Sequence, residues 1–331
     1  MSQQLVTVLG VGQLGLPISI ALAKSGNQVT VVDKDEVRQS LAAGHGLQTL
    51  SKKASGKVRL SFEPLKWLIT VLPDDETFAA AVHGDSLLME GGFIDQMGLG
   101  SVHICIGTIG IAQAKATAKI HQARGQYFIA APVFGRPDEA WACDLTALFG
   151  LPDDLPESLK SEALLLLGSF APRIHPLNSP EAAFAVKLAG NLLIASAIAS
   201  MTEAFGLAQN YGASAADVQK IITGKLFKGP VYEGVGRVVA EACQMTKTTK
   251  PTDSDGTNEG TPGFTVRLGL KDLSLAQAAA QGISMELQLA TAVQKQFQCA
   301  AERGYSNRDW AELPAFLPNH FSPELDPNEF V

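Results

Sequence analysis

Cysteine is scarce in this sequence, and the cysteines that are present lie far apart. The four of them occupy positions 105, 143, 243 and 299 and form no C-x-x-C pair. This spacing argues against a disulfide framework and against a cysteine-based zinc site. The six histidines show no metal-ligand spacing either. We therefore predict no metal site, reduced thiols and a cytoplasmic protein.

An excess of basic residues is also absent. The chain has 26 lysines and arginines against 33 aspartates and glutamates, which gives a net charge of −7. From this balance we expect no basic surface for nucleic acid or for an anionic membrane. Apolar sequence begins at Leu5 with no basic segment before it, which argues against a signal peptide. We expect no run to approach the length needed to cross a bilayer, since Lys187, Asn191 and Ser196 interrupt even the most apolar one.

Apolar segments are abundant, and they follow two different patterns. The chain has 331 residues, 46% of them apolar and 18% charged, which is enough for two buried cores. In the first half, β-branched runs alternate with alanine-rich amphipathic segments. Strands are predicted at 5–9, 28–32, 67–72, 102–106 and 127–131, and two later strands, 145–150 and 172–177, flank a helix at 157–167. The alternation predicts an α/β domain over residues 1–178, with a doubly wound Rossmann-type parallel sheet.

After Ser179 the strand patterns end and alanine- and leucine-rich helical patterns replace them. Helices are predicted near 180–210, 214–223, 231–243, 265–281 and 283–303. The second domain, residues 179–331, is therefore predicted to be all-α. Residues 246–262 contain no large apolar side chain, so this segment is predicted to be a mobile loop.

A glycine motif directly follows the first predicted strand. Gly10, Gly12 and Gly15 have G-x-G-x-x-G spacing between a strand and a helix. The first glycine permits a tight turn, the second lets the backbone approach a pyrophosphate, and the third lets helix and strand pack closely. Together with Gln13 and Leu14 they are predicted to bind a dinucleotide; the alternative is an ordinary glycine-rich turn.

Asp33 ends the second predicted strand, roughly 20 residues after the glycine motif begins, where an acid accepts hydrogen bonds from a ribose diol. A carboxylate there also repels a 2′-phosphate, so NAD is favoured over NADP. Lys34 beside it can pair with that phosphate, or it can be an ordinary surface lysine. NADP therefore stays open as the cofactor.

Two further strand ends are candidates for the cofactor crevice, because open α/β sheets bind ligands beyond the carboxyl ends of their strands. The chain leaves one strand at Leu72 and Pro73, although Pro73 can simply serve to end it. Thr108, in the segment IGTIG, follows another strand and can either hydrogen-bond near a nicotinamide or cap the next helix. All three are predicted to contact the cofactor.

Lys187 and Asn191 are unusual in the most apolar predicted helix. They stand at positions i and i+4, so their side chains share one face. On a helix that joins the two domains, this face can look into a cleft, where partial burial disfavours the charged form of a lysine. The alternative is a lysine that extends from a core helix to solvent, with the amide capping a neighbouring turn.

The order of motifs resembles a known family. Strand-GxGxLG-helix, an LP turn, GTIG, AAPVFGRP and KLAGN follow one another as in the β-hydroxyacid dehydrogenases, which include 3-hydroxyisobutyrate dehydrogenase and are related to 6-phosphogluconate dehydrogenase and the imine reductases. The resemblance spans nearly the whole chain. It implies an NAD(P)-dependent oxidoreductase that transfers hydride between nicotinamide and a small carbonyl or hydroxy-acid substrate. It also implies a homodimer with intertwined helical domains.

The resemblance implies roles for individual residues. Lys187 would be the general acid/base that protonates the oxygen formed when hydride reaches a carbonyl, and Asn191 would orient the lysine or the substrate. Lys271 would lie on the cofactor side of the cleft, or would form a surface ion pair with Asp272. Tyr232 lies in a segment between helices that is rich in glycine and aromatic residues. It would reach the cleft, from a partner subunit if the helical domains intertwine, or would pack at a turn between helices.

The predicted substrate loop departs from the family pattern. Many members have Ser-Gly-Gly after APV, where this chain has Phe134, Gly135 and Arg136. Phenylalanine offers no hydroxyl, whereas Arg136 can hold a carboxylate with its planar guanidinium or lie at the edge of the loop. The difference leaves two alternative hypotheses, which are C=N reduction as in imine reductases and a dinucleotide-binding sensor without turnover.

Overall fold

A computed structural model of the protein describes residues 3–50, 65–84, 91–244 and 262–317. The chain divides into two compact units, Met1–Leu188 and Ala189–Val331. The division falls inside a long helix, whereas the change in sequence character lies near residues 178 and 179. The predicted mobile loop at 246–262 lies outside the described residues, except for Pro262.

The first unit is built on one sheet of nine strands within the described residues. The strands are β1 (Leu5–Leu9), β2 (Gln28–Val32), β3 (Gln48–Thr49), β4 (Leu65–Thr70), β5 (Met97–Cys105), β6 (Tyr127–Ala130), β7 (Val133–Phe134), β8 (Thr146–Gly150) and β9 (Arg173–Leu177). Their order is β3-β2-β1-β4-β5-β6-β8-β7, and β9 pairs with β8. Strands β1 to β6 are parallel, which confirms the predicted Rossmann-like sheet.

One edge of the sheet differs from the sequence prediction. Strand β8 pairs antiparallel with β6 and β7, and β9 lies parallel to β8. The two late strands are therefore present, but they run against the others. An antiparallel neighbour needs no long crossover, and the chain returns from β6 to β8 through β7 and one short helix.

Helices alternate with the strands of the first unit, and the predicted helix at 157–167 is present with one more residue at its end. They are α1 (Gly15–Lys24), α2 (Glu36–Gly44), α3 (Asp75–Ala79), α4 (Ile111–Ala123), α5 (Pro137–Trp141) and α6 (Glu157–Gly168). Aspartate side chains cap two of them. Asp35 accepts the Val37 N–H at 2.9 Å and Asp74 accepts the Thr77 N–H at 2.8 Å, so both acids satisfy first-turn amides.

A chain of hydrogen bonds runs through the core of this unit between two buried histidines. Gln126 Nε2 donates to the carbonyls of Ile94 and Met97, so its oxygen accepts from His121 Nδ1 at 2.9 Å. His121 Nε2 then accepts from His103 Nδ1 at 3.0 Å. This direction requires a neutral His121. Burial lowers the pKa of His103 well below its usual range and that of His121 to about 4.

The second unit is helical in its described residues. Helix α7 (Pro180–Asn210) enters it from the first unit, and α8 (Ala215–Lys225), α9 (Gly236–Gln244), α10 (Val266–Gln281), α11 (Gln288–Ala300) and α12 (Leu313–Phe316) follow. The core contains the aromatic side chains of Phe205, Phe297 and Trp310. Helix α11 begins five residues later than predicted, because 283–287 form a turn in which Ser284 has a φ of 58°.

Helix α7 is long and apolar enough to cross a membrane by length and composition alone. It has 31 residues, and its most apolar 18-residue window has a mean hydropathy of 1.7. The expectation that no run reaches this length is therefore wrong for α7. Half of that window is buried within the protein, and core helices of soluble proteins meet the same criteria. Ala195, Ile198 and Phe205 of this helix belong to the core of the second unit.

Candidate functional site

The glycine loop between β1 and α1 allows the backbone to approach its neighbours closely. Gly10 has a φ of +90°, and a Cβ there would lie 2.4 Å from Val71 O. A Cβ at Gly15 would lie 1.9 Å from Gly10 O. Both positions therefore require glycine, one for its conformation and one for the packing of α1 on β1.

The middle of this loop has space where the two flanking glycines have none. A Cβ at Gly12 would meet no atom closer than Arg38 Nη1, at 3.7 Å. Gln13 and Leu14 lead from this position into the first turn of α1, where the Leu16 N–H donates to Gly12 O and the Ile18 N–H donates to Leu14 O, both at 3.1 Å. An open glycine at a helix N-terminus fits a pyrophosphate, so the loop has the geometry of a dinucleotide site.

Asp33 lies at the carboxyl end of β2 and is nearly buried, with 6% exposure. Its carboxylate accepts the Val11 N–H at 2.8 Å and the Asp35 N–H at 2.9 Å. Arg38 Nη1 is 3.9 Å away, while Lys34 is exposed. Asp33, which is predicted to bind the ribose, therefore also holds the glycine loop against the end of β2 through its bond to the Val11 N–H. Each carboxylate oxygen retains a second lone pair for a further hydrogen bond.

The LP turn and the segment GTIG meet beside the glycine loop. Strand β4 ends at Thr70, so Leu72 and Pro73 lie beyond its carboxyl end. A Cβ at Gly107 would lie 2.3 Å from Leu72 O, and one at Gly10 would lie 3.1 Å from the Leu72 side chain. Leu72 therefore packs against both the glycine loop and the segment GTIG, as expected for strand ends at one edge of a parallel sheet.

Thr108 belongs to a loop that is held in place by Asp75, a residue without a predicted role. The residue before α4 is Gly110, so Thr108 is not the N-cap of that helix. Asp75, in the first turn of α3, accepts the Gly110 N–H at 2.8 Å. Its position two residues after Pro73 was visible in the sequence, but its partner lies 35 residues away.

The predicted substrate loop has a rigid backbone. Phe134 lies in β7 and pairs with Thr146 of β8. Gly135 has a φ of +139°, and a Cβ there would lie 2.4 Å from Leu145 Cδ2. The Arg136 N–H donates to Glu139 at 2.7 Å, and its guanidinium Nε lies 4.0 Å from Asp138 Oδ1. Arg136 is therefore exposed beside two acids at the start of α5.

Lys187 is nearly buried on α7, with 8% exposure. Its Nζ lies 4.3 Å from the centroid of the Phe134 ring, within the range of a cation–π contact. One turn earlier, Phe184 belongs to an apolar cluster that also contains Ile109, with Leu72 and Phe134 packed against it. Lys187, the LP turn, the GTIG loop and the substrate loop thus lie around one cluster of the first unit.

Asn191 and Lys271 share a buried acid in the second unit. Asp272 of α10 has 2% exposure. It accepts a hydrogen bond from Asn191 Nδ2 at 2.5 Å and forms an ion pair with Lys271 Nζ at 2.9 Å. The predicted alternative for Lys271, an ion pair with Asp272, is thus present, but Asp272 is buried rather than at the surface. Asp272 therefore holds the amide of Asn191 and neutralises its own charge with Lys271.

Tyr232 packs within the second unit. Its ring stacks on Phe227 with 4.6 Å between centroids, and its carbonyl accepts from Gln219. This is the packing role that the sequence left open. Among the described residues, no group of three or more histidine, cysteine, aspartate or glutamate side chains could hold a metal ion.

Two family models match the chain and together cover most of it. Residues 5–167 match the NAD binding domain of 6-phosphogluconate dehydrogenase. Residues 182–317 match the model described as NAD-binding of NADP-dependent 3-hydroxyisobutyrate dehydrogenase. The first match contains the glycine loop, and the second covers the described helices of the second unit.

Known proteins are similar over nearly the full length. An uncharacterized oxidoreductase of Bacillus subtilis, YfjR, is 29% identical over 309 residues, which are 93% of this chain and 98% of that protein. Human mitochondrial 3-hydroxyisobutyrate dehydrogenase is 26% identical over 320 residues, 94% of this chain and 86% of that one. The crystal structure of 3-hydroxyisobutyrate dehydrogenase (ygbJ) from Salmonella typhimurium shares the fold, with a TM-score of 0.74, 19% identity, and coverage of 96% of this chain and 100% of that chain.

Proposed function

Because the chain belongs to the β-hydroxyacid dehydrogenase family of NAD(P)-dependent oxidoreductases, we propose that it interconverts a small carbonyl compound and its alcohol with Lys187 as general acid/base. The observation that carries the proposal is the place of Lys187. Its ammonium is nearly buried beside Phe134, and the apolar cluster next to it includes the turn that contacts the glycine loop.

The nucleotide would be held by residues of the first unit. Gly10, Gly12 and Gly15, with Gln13 and Leu14, would bind the pyrophosphate at the start of α1. Leu72, Pro73 and Thr108 would lie along the nicotinamide half, and Lys271 of the second unit stays a prediction for the same role. When bound, the nicotinamide donates or accepts the hydride.

NAD is the cofactor that we propose as preferred. Asp33 is fixed by two backbone N–H groups, so its negative charge cannot move away from a 2′-phosphate. Lys34 and Arg38 are the cations that oppose this preference. Titration of the protein with NADH and NADPH, followed by nucleotide fluorescence, tests the proposal, and tighter binding of NADPH would contradict it.

Lys187 would supply the proton of the reaction. In the reductive direction, its ammonium donates a proton to the carbonyl oxygen as negative charge develops there. In the oxidative direction, the neutral amine accepts that proton from the alcohol. Asn191 stands one turn later on the same face of α7 and would orient the lysine or the substrate, with its own amide held by Asp272. Phe134, Gly135 and Arg136 are the residues proposed to contact the substrate, and a substrate contact of Tyr232 stays a prediction.

The decisive experiment compares Lys187→Met with a matched control, Lys119→Met. Lys119 is an exposed lysine of α4. NADH and NADPH oxidation is measured against aldehydes and cyclic imines side by side. We expect Lys187→Met to lower kcat/KM for aldehydes about 100-fold or more, as loss of a general acid does, with the nucleotide Kd nearly unchanged.

Other outcomes identify the two rival functions. Preferential turnover of cyclic imines that survives Lys187→Met would indicate C=N reduction, since an iminium needs no proton from a cation. Nucleotide-dependent thermal stabilisation without turnover of any substrate would indicate a dinucleotide-binding sensor. Lys119→Met should behave as the wild type in every assay.

We further propose a cytoplasmic homodimer without nucleic-acid or membrane partners. Helix α7 supports the dimer, because Leu193 and Leu207 are large apolar side chains exposed on it, and Ile221 and Leu226 are exposed at the end of α8. Light scattering on the purified protein gives the oligomeric state. A monomer at micromolar concentration would contradict the dimer.

A further inference from the structure

Phe134 is placed so that its ring covers part of the ammonium of Lys187. The distance from Nζ to the ring centroid is 4.3 Å. Neither partner is loosely held: Phe134 pairs with Thr146 in the sheet, and Lys187 is nearly buried on α7. The following residue, Gly135, adopts a backbone conformation that only glycine adopts readily. The ring position is therefore set by the fold.

The ring changes which chemical groups can lie beside the ammonium. The face of an aromatic ring carries negative charge from its quadrupole, which attracts a cation and repels an anion. An aromatic ring also cannot replace the hydration of a carboxylate, and an unsolvated buried anion is costly. The Lys187 ammonium by itself attracts a carboxylate, but the ring of Phe134 covers one side of it. A carboxylate on that side meets the ring face and is disfavoured for both reasons, whereas an uncharged substituent is not.

The remaining charges of the loop do not compensate. Residues 134–139 contain one arginine and two acids. The Arg136 guanidinium lies 4.0 Å from Asp138, and its backbone N–H is bound to Glu139. The field of this segment is therefore unfavourable for an incoming anion, and the net charge of −7 of the whole chain acts in the same direction.

We propose that Phe134 restricts the site to carbonyl substrates that carry no carboxylate, while its ring holds the ammonium of Lys187 in place. The substrate class would be neutral aldehydes or ketones with an apolar body. This inference rests on the proposed role of Lys187 in proton transfer, but it makes a separate statement about charge.

The test uses probe pairs that differ in charge and little in shape. For turnover, methyl 4-oxobutanoate is compared with 4-oxobutanoate as a substrate for nucleotide oxidation. For binding, methyl butanoate is compared with butanoate by calorimetric titration of the protein–NAD⁺ complex. We expect the neutral probe to be favoured about tenfold or more in both comparisons, the discrimination that one desolvated charge supplies.

Three variants separate the two roles of the ring. Phe134→Ser removes both the exclusion of carboxylates and the contact that holds the Lys187 ammonium. It should lower the preference for the ester probe over the acid probe about tenfold, as loss of a desolvated contact of this size does. Phe134→Leu keeps an apolar cover without the quadrupole, so it should keep most of the preference while kcat falls and KM changes little. Phe134→Tyr keeps the ring face and should retain both properties. Leu165→Ser, at an exposed position of α6, is the matched control and should leave the ratio unchanged.

Thermal melts and nucleotide titration establish that each variant is folded. The proposal is overturned if wild type favours the acids, if Phe134→Ser is folded but keeps the wild-type ratio, or if neither butanoate probe binds. Failure of the proposed dehydrogenase function gives a different result, because turnover is then absent while the binding ratio still reports on Phe134.

Discussion

The first and second units hold their polar site residues in different ways. In the first unit, the carboxylates of Asp33, Asp75 and Glu139 accept backbone N–H groups. In the second unit, the buried contacts join side chains, since Asp272 binds the amide of Asn191 and the ammonium of Lys271. Backbone donors stay in place as long as the fold does, whereas a side-chain network depends on every charge in it. The stability of the first unit should therefore be most sensitive to changes in its backbone, and the stability of the second unit to the loss of one charge.

The same contrast separates two residues that lie one turn apart on α7. Lys187 meets an aromatic face, a contact without a fixed donor–acceptor direction. Asn191 donates a directed hydrogen bond to a carboxylate. A cation–π contact does not take up a proton, so it is compatible with proton transfer by Lys187. The bond of Asn191 suits a residue that holds a fixed orientation.

The largest expected effect comes from the backbone of the first unit. In Gly15→Ala the new Cβ would lie 1.9 Å from Gly10 O. Gly15 begins α1 and the Gly10 N–H is bonded to Val32 O, so neither group moves away easily. We expect a loss of more than about 4 kcal/mol in unfolding free energy and no nucleotide binding. Denaturant titration and NADH binding measure the two effects.

A neighbouring glycine serves as the control for this prediction. At Gly12 a new Cβ meets only the flexible end of Arg38, at 3.7 Å. Gly12→Ala should therefore leave stability within about 1 kcal/mol of wild type while weakening nucleotide binding. Equal stability of the two variants would show that α1 can shift, and that backbone contacts do not dominate the first unit.

The next effect in size tests the charge network of the second unit. Asp272→Ala leaves the Asn191 amide without its carboxylate and Lys271 without its counter-ion, so we expect a loss of about 3 kcal/mol in unfolding free energy. Asp272→Asn keeps the shape and one acceptor and should lose less. A smaller loss in the alanine variant than in the asparagine variant would contradict a stabilising network. Urea unfolding of the full chain gives both values.

The smallest effect concerns the buried histidines of the first unit. The pKa of His121 is lowered to about 4 in the folded protein because burial disfavours the charged ring, whereas the unfolded chain takes up the proton near pH 6.5. The unfolded state therefore binds more protons as pH falls below 6.5, and the folded state loses stability down to about pH 4. The expected loss from His121 alone is about 2 kcal/mol between pH 7 and pH 5.

The matched variants for this prediction are His121→Gln and His45→Gln. The first removes the buried titrating ring and should flatten the decline in melting temperature between pH 7 and pH 5, even from a lower starting value. The second changes an exposed histidine of the same unit and should decline as wild type does. If His121→Gln loses stability as steeply as wild type, the histidine chain does not limit stability in acid.

Local patterns predicted much of the fold. The parallel strands of the first unit and the helices of the second follow from periodicity over short windows. The antiparallel placement of β8 was not predictable, because a strand pattern is the same in both directions. Among the site residues, Gly10 and Gly15 were predictable from spacing, because their demands concern the adjacent turn and helix. Asp75 was not, because its partner Gly110 is distant in sequence.

The sequence by itself determined the motif order, the strand–glycine–helix junction and the shared face of Lys187 and Asn191, because each depends on residues a few positions apart. Only the tertiary structure decided what those groups touch. The ring of Phe134 reaches Lys187, and Asp272 reaches Asn191, across intervals of 53 and 81 residues. Contacts at such separations depend on how whole elements pack, and no local pattern encodes that packing.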